Sequence, residues 1–167
     1  YPFPEVEMLP EPHTPGGPPI WCGGRKEPAL RRAGRMADGW LSYVVTPDQY
    51  RAALETIAGA AEEADRDLSK FGTGHLLFVR LAKDYESALS YATEKLSARY
   101  AMDFSKPAKR YCALGTAEQV AESIREFHAA GVRHLVVDFI AERSDQLEQI
   151  DYFGEAVMAL LADLITR

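Results

Sequence analysis

The 167-residue sequence contains little cysteine and has no excess of positive charge. Its two cysteines, Cys22 and Cys112, are isolated and lack the spacing of a metal site, so neither a disulfide framework nor a bound metal is predicted. This usage is typical of a reducing compartment, and we expect a cytoplasmic protein. The net charge of −6 argues against a nucleic-acid partner. No apolar run approaches the roughly 18 residues of a membrane-spanning helix, so no membrane partner is expected.

Proline is unevenly distributed and crowds residues 1–19. Such a density excludes helix and central strand, so we expect an extended connector over 1–19 and a folded domain over 20–167. His13 lies in this connector and is expected to be solvated. Because residue 1 is Tyr rather than Met, we expect the native start to lie upstream, or the chain to be a cleaved or cloned piece.

Four apolar runs alternate with amphipathic segments over residues 20–167. Strands are predicted at 20–22, 40–45, 75–81 and 135–140. Thr46 and Thr116 each begin a capping box, Asp84 is a predicted N-cap, and Gly131 is a predicted C′ glycine. Residues 102–115 are expected to be irregular because Pro107 interrupts them. The βα order repeated four times implies parallel strands with right-handed crossovers.

The last helix is predicted to start at Ser144 or Asp145 and to carry an apolar stripe at helical spacing. The residues of this stripe are Ile150, Phe153, Val157, Leu160, Leu161 and Leu164.

A glycine loop precedes the first helix. Gly23 and Gly24 follow a short apolar strand and allow a sharp turn, and Pro28 suits the first helical turn. Free N–H groups at a helix start, together with Arg25 and Lys26, favour binding of a phosphate. The alternative is a tight strand-to-helix turn with solvated basic side chains.

Three blocks of sequence, PPIWCGG, ALRRAGRMADGW and GTAEQVAESIREFHAAGVRHLVV, resemble the luciferase-like flavin-dependent monooxygenase family. They occur in the family's order and span nearly the whole chain. The resemblance implies an α/β fold, namely the C-terminal half (four βα units) of a (β/α)8 TIM barrel. It also implies FMN or a deazaflavin coenzyme and a small-molecule substrate.

The resemblance further implies where the cofactor binds. The loop and the following helix start would hold the phosphate, and the next strand would lie near the flavin. The residues at these positions are Cys22, Gly23, Gly24, Arg25, Lys26, Ala29, Gly39, Trp40 and Leu41. The family usually has a small or hydroxylated residue near Lys26, so backbone N–H contacts are expected there rather than a side-chain contact.

Catalytic residues are not assigned, because in many relatives they come from N-terminal strands that this sequence lacks. Tyr43 and Arg80 lie near the carboxyl ends of predicted strands and are candidate substrate contacts. Asp138 is expected to be a paired structural carboxylate. His128 and His134 are expected near the bottom of the barrel, away from the site.

Half a barrel would leave two open sheet edges and an uncovered inner face. We expect Ile20, Leu41, Phe78 and Val137 on that face. The missing half could be another chain, a second copy could form a homo-oligomer, or loops could cover the gap. The sequence therefore leaves two hypotheses open: the C-terminal half of a flavin-dependent oxidoreductase or monooxygenase, or a non-catalytic half-barrel that binds flavin or pairs with itself or a partner.

Overall fold

A computed structural model of the chain describes Pro2 and residues 9–164, and within them five parallel strands form one sheet. The strands are Trp21–Cys22 (β1), Gly39–Tyr43 (β2), Gly72–Leu81 (β3), Cys112–Gly115 (β4) and His134–Phe139 (β5). Four of them correspond to the predicted runs. The parallel βα order that the sequence predicted is therefore confirmed.

The longest strand, β3, is the centre of the sheet. Leu76 of β3 pairs with both Tyr43 of β2 and Val136 of β5, so β2 and β5 lie on opposite edges of β3. Further along, Phe78 pairs with both Cys112 of β4 and Asp138 of β5. The strand β4 therefore pairs with the same edge of β3 as β2 does, but beyond the point where β2 ends.

The prediction of an irregular segment over 102–115 is wrong. This segment contains a helix, Ser105–Tyr111 (α4), followed directly by β4. Pro107 is compatible with α4 because it lies in the first turn, where the backbone N–H has no intrahelical acceptor. The buried side chains of Phe104 and Ala108 then hold α4 against the sheet.

Of the remaining helices, those with a predicted cap follow it. The full set is Glu27–Met36 (α1), Pro47–Glu62 (α2), Tyr85–Tyr100 (α3), Ala117–Ala129 (α5), Gln146–Tyr152 (α6) and Met158–Leu160 (α7), with a π-helical segment Phe153–Val157 between α6 and α7. Thr46 and Thr116 both form complete capping boxes. Asp84 caps α3, and Gly131 has the positive φ of a C′ glycine.

The π-helical segment explains why the predicted stripe of the last helix is partly wrong. Val157 and Leu161 are buried as predicted, but Ile150 and Leu160 are 42% and 41% exposed. A π turn has more residues per turn than an α-helix, so the apolar face shifts where the helix passes through it. A regular 3.6-residue period therefore does not hold across the whole segment.

We call the outer face of the sheet the one that packs against α1, α2, α5 and α6–α7. Trp40, Leu77 and Val79 point to this face and are buried in its core. The helices α1 and α2 approach closely there because Gly34 has no side chain and lies against the backbone carbonyl of Ile57.

The opposite, inner face is partly covered by α3 and α4, which we call the helical cover. Phe78, Leu114 and Ile140 from the strands pack against α3 and α4 in a second core cluster. The expectation that Phe78 lacks an opposite layer is therefore wrong. Val137 is also misassigned, because it packs in the outer core.

The helical cover leaves open the part of the inner face near the start of β2 and β3. There the indole of Trp21 lies over Gly39, Gly72 and Gly74. Trp21 is 38% exposed. Ile20 is predominantly exposed and lies just before β1 rather than in it.

Within residues 9–164, no strand pairs with the outer edge of β1 or of β5. Residues 9–20 contain no helix or strand, whereas most of the predicted connector before them lies outside the described residues. The division into a connector and a folded domain stays a prediction. Among the described residues, we find no helix with the length and apolar composition of a membrane span.

Candidate functional site

The glycine loop borders an open cleft of about 400 Å³ at the carboxyl end of β2. Its walls come from the loop, the start of α1, the segment after β2, α2 and the end of α4. The lining residues are Arg25, Lys26, Leu30, Val44, Val45, Gln49, Ala52, Ala53, Thr56 and Tyr111. We call this the loop cleft. It has two cationic side chains and no acidic one in its lining, so it favours an anion.

Gly24 gives the loop its shape. Its φ of +99° is in the region that favours glycine, and a Cβ at this position would lie 2.8 Å from the Cβ of Ala29. The buried Trp40 donates from Nε1 to the carbonyl oxygen of Gly24 at 2.7 Å. Trp40 therefore holds the loop from the outer core.

The start of α1 offers fewer free N–H groups than the sequence suggested. The N–H groups of Ala29 and Leu30 both donate to the Lys26 carbonyl oxygen, and Pro28 has no N–H. The cap residue Lys26 makes no side-chain cap. An anion in the loop cleft would therefore depend more on Arg25 and Lys26 than on the helix start.

Arg25 is held at the cleft wall. Its Nη1 donates to the carbonyl oxygen of Val44 at 2.8 Å, which links the loop after β1 to the segment after β2. The acidic residue of the first helical turn, Glu27, lines a separate groove with Arg31 and Arg32. It is not part of the loop-cleft lining.

The structure brings only some of the predicted cofactor residues together. Arg25 and Lys26 line the loop cleft, and Trp40 contacts it through Gly24. Three other predicted residues lie elsewhere: Gly39 and Leu41 are on the inner face beside Trp21, and Cys22 packs against the outer core. Gly23 is exposed.

The two candidate substrate residues differ in availability. Tyr43 is 51% exposed at the end of β2. Arg80 is instead held by Asp145 Oδ2 at 2.7 Å, by the Ile140 carbonyl oxygen at 3.1 Å and by the ring of Tyr91 at 3.8 Å. This ion pair also holds the pKa of Asp145 below its ordinary value. Arg80 therefore links α3 of the helical cover, through Tyr91, to the segment that follows β5, through Ile140 and Asp145.

Asp138 is paired, as the sequence predicted: it lies 3.1 Å from Nη1 of Arg99 on α3. His134 lies at the start of β5, with its ring 5.6 Å from that of Trp21. His128 lines an apolar groove between α5, β5 and α7. Neither histidine lines the loop cleft.

Sequence reasoning missed a buried Ser42–His75 pair. Ser42 Oγ lies 2.7 Å from His75 Nδ1, and both side chains are 1% exposed. Burial lowers the pKa of His75 to about 4. The pair has neither solvent access nor an acidic third partner, so it is structural rather than nucleophilic. Among residues 9–164, no cluster of three or more metal-ligating side chains occurs.

Most of the loop-cleft lining was not predicted as part of a site, although Val44 lies at the carboxyl end of a predicted strand, where the site was expected. Tyr111 reaches the cleft from the end of α4, about 85 residues after the glycine loop. Val44 lines it with a φ of +54°, which is unusual for a β-branched residue.

Comparison with curated proteins identifies a ketoreductase as a distant relative. The phthiodiolone/phenolphthiodiolone dimycocerosates ketoreductase of Mycobacterium tuberculosis is 26% identical over 152 residues, which cover 89% of this chain and 36% of the relative. The chain thus spans little more than a third of that protein.

Two solved structures share the fold. An F420-dependent secondary alcohol dehydrogenase, solved with an F420-acetone adduct, matches with a TM-score of 0.70 and 18% identity, over 85% of this chain and 48% of its own. The riboflavin lyase RcaE, solved with modified FMN and riboflavin, matches with a TM-score of 0.64 and 15% identity, over 89% of this chain and 43% of its own.

A family model provides the assignment. The model described as luciferase-like monooxygenase matches residues 1–134, which is most of the sequence. Together with the parallel α/β fold, this match shows that the chain belongs to the luciferase-like monooxygenase family.

Proposed function

We propose that this chain carries the cofactor-phosphate site of an oxidoreductase or monooxygenase that uses FMN or a deazaflavin coenzyme and acts on a small-molecule substrate. Family membership supports the reaction class. The F420-dependent dehydrogenase and the FMN-containing lyase support the two cofactor types. Both cofactors combine a tricyclic ring system with a phosphate group on its side chain.

The observation that carries the proposal is the charge of the loop cleft. Arg25 and Lys26 line it without any acidic side chain. Its volume of about 400 Å³ is within the range of small-molecule sites. Gly24 allows the backbone to approach a ligand closely at the same place.

In this assignment, Arg25 and Lys26 neutralise the phosphate, and Trp40 keeps the loop in position through Gly24. When bound, the flavin or deazaflavin ring would supply the redox chemistry. No described residue is assigned as catalytic, because the helical cover occupies the inner face at the carboxyl ends of β3 and β5.

The test compares two substitutions at Gly24. Gly24→Ala introduces backbone strain and the contact with Ala29, whereas Gly24→Asp adds a negative charge to the same perturbation. We expect Gly24→Asp to weaken FMN binding several-fold more than Gly24→Ala. For riboflavin, which lacks the phosphate, the two variants should bind alike.

Flavin fluorescence titration measures the affinities of both Gly24 variants for FMN and for riboflavin. Gly59→Asp is the matched control, since Gly59 lies on α2 with open space around it and away from the loop cleft. Equal FMN affinity for Gly24→Asp and Gly24→Ala would exclude this phosphate site.

A second candidate is a non-catalytic half-barrel that pairs with a partner half or with a second copy of itself. The observation that favours it is the pair of open strand edges on β1 and β5. Such edges favour pairing with another chain. Sedimentation combined with the flavin titration separates the two candidates: self-association without any preference for FMN over riboflavin would favour this one, whereas phosphate-dependent FMN binding would favour the first.

A further inference from the structure

Val44 has a backbone conformation that its side chain disfavours. Its φ is +54°, in the left-handed region, where a β-branched residue is rare. Glycine or asparagine would adopt this conformation at lower cost. The surrounding contacts must therefore hold Val44 in place.

Three contacts act on this short segment. The Val44 side chain packs against the core cluster of the helical cover, whereas Val45 is buried in the outer core. The two side chains therefore point into different cores. The left-handed turn at Val44 directs its carbonyl oxygen toward Arg25, which donates to it at 2.8 Å.

This bond uses one of the five N–H donors of the Arg25 guanidinium. The others stay available to an anion, since Arg25 is exposed and lines the loop cleft. Without the bond, a long arginine side chain samples many rotamers and loses that freedom when it binds a ligand. Holding it beforehand reduces this loss.

We propose that Val44 is a positioning residue for the anion site: its left-handed backbone directs a carbonyl that holds Arg25 in the wall of the loop cleft. The inference rests on the proposed phosphate site and extends it to a residue whose apolar side chain offers no donor to an anion. Val44 acts only through Arg25. Packing of the valine side chain against the helical cover offsets the strain of this conformation, whereas glycine would adopt it without that strain.

The test uses the ratio of riboflavin to FMN dissociation constants as a measure of phosphate recognition. Val44→Gly keeps access to positive φ and should leave the ratio unchanged. Val44→Pro fixes φ near −65° and redirects the carbonyl, so it should lower the ratio about two- to tenfold, the loss expected when one side chain is no longer held. Riboflavin binding shows in each case whether the variant is folded.

Arg25→Ala, alone and combined with Val44→Pro, completes a double-mutant cycle. Arg25→Ala by itself should lower the ratio, and adding Val44→Pro to it should lower the ratio no further, because the two residues act as one unit. A loss in Val44→Pro that persists in the Arg25→Ala background would overturn the positioning role while leaving the phosphate site intact. No change in Arg25→Ala would overturn the phosphate site as well.

The glycine variant keeps the proposal testable even if Val44→Pro fails to fold. A several-fold fall of the ratio in Val44→Gly would show that the valine side chain, and not the backbone direction, matters for Arg25. That result would contradict the proposal.

Discussion

The buried His75 should make the stability of this protein depend on pH. His75 is 1% exposed, its ring is stacked on Phe127 at 4.2 Å between centroids, and its Nδ1 contacts Ser42. Among the described residues, Nε2 has no hydrogen-bond partner. A proton added to this ring would place a charge in the outer core, so burial lowers the pKa from 6.5 to about 4.

The direction of the effect follows from where protons bind. Between pH 4 and 6.5 the unfolded chain binds a proton at His75 and the folded chain does not, so stability falls as pH falls through this window. The contribution is fully present above pH 6.5. A pKa difference of this size corresponds to a loss of about 2 kcal/mol between pH 7.5 and pH 5.

Urea denaturation at half-unit steps from pH 7.5 to pH 5 measures the loss. His75→Phe is the matched control, because it retains an aromatic ring against Phe127 and cannot titrate. Groups other than His75 contribute equally to both proteins, so their difference isolates the histidine. We expect the free energy of unfolding to fall by about 2 kcal/mol more in the native chain than in the variant.

Parallel pH profiles for the two proteins would refute this reasoning. They would mean that the folded chain accommodates a protonated His75, through solvent access or a partner for Nε2. A steeper fall in the variant would refute it equally.

Three further predictions concern packing, thiols and association. Gly34→Ala should destabilise the chain by about 1–3 kcal/mol in thermal denaturation, because its Cβ would overlap the Ile57 carbonyl, whereas Gly59→Ala should not destabilise it; equal stability of the two variants would contradict this. Labelling of the denatured, unreduced protein should count two thiols, and in the native state Cys112 should react more slowly than Cys22, because burial raises the pKa of Cys112 to about 12; a count of zero would contradict free cysteines. Analytical ultracentrifugation should show association of the isolated chain, since β1 and β5 have open edges. A flavin titration should show weak binding, because we expect half of the ring pocket to come from outside this chain; a stable monomer with submicromolar FMN affinity would exclude both expectations.

The sequence by itself determined the features that depend on residues a few positions apart. The Thr46 and Thr116 capping boxes formed as predicted, and Asp84 caps the first turn of α3 as predicted. The four main strands were also recognisable from their apolar composition. These elements depend on hydrogen bonds and periodicity within a few residues, which the local sequence contains.

Only the tertiary structure decided how these elements cover the sheet. The sequence described α3 as one more amphipathic helix, and nothing in its pattern indicates which face of the sheet it covers. The face that α3 covers depends on Phe78 and Ile140, two strand residues that are distant from each other along the chain. Both pack in one cluster with α3 and α4. The strand β4 was missed for the same reason, because its pairing partner is in β3.

The candidate site also contains features that the sequence showed and features that only the tertiary structure decided. The glycine loop with Arg25 and Lys26 was visible in the sequence, because turn residues and charges are adjacent there. The position of Val44 at a strand end was visible too, but its bond to Arg25 was not. Tyr111 was missed altogether, because it reaches the cleft only where the end of α4 folds back over the sheet. Local sequence encodes the loop, but the packing of two cores on opposite faces of the sheet determines what surrounds it.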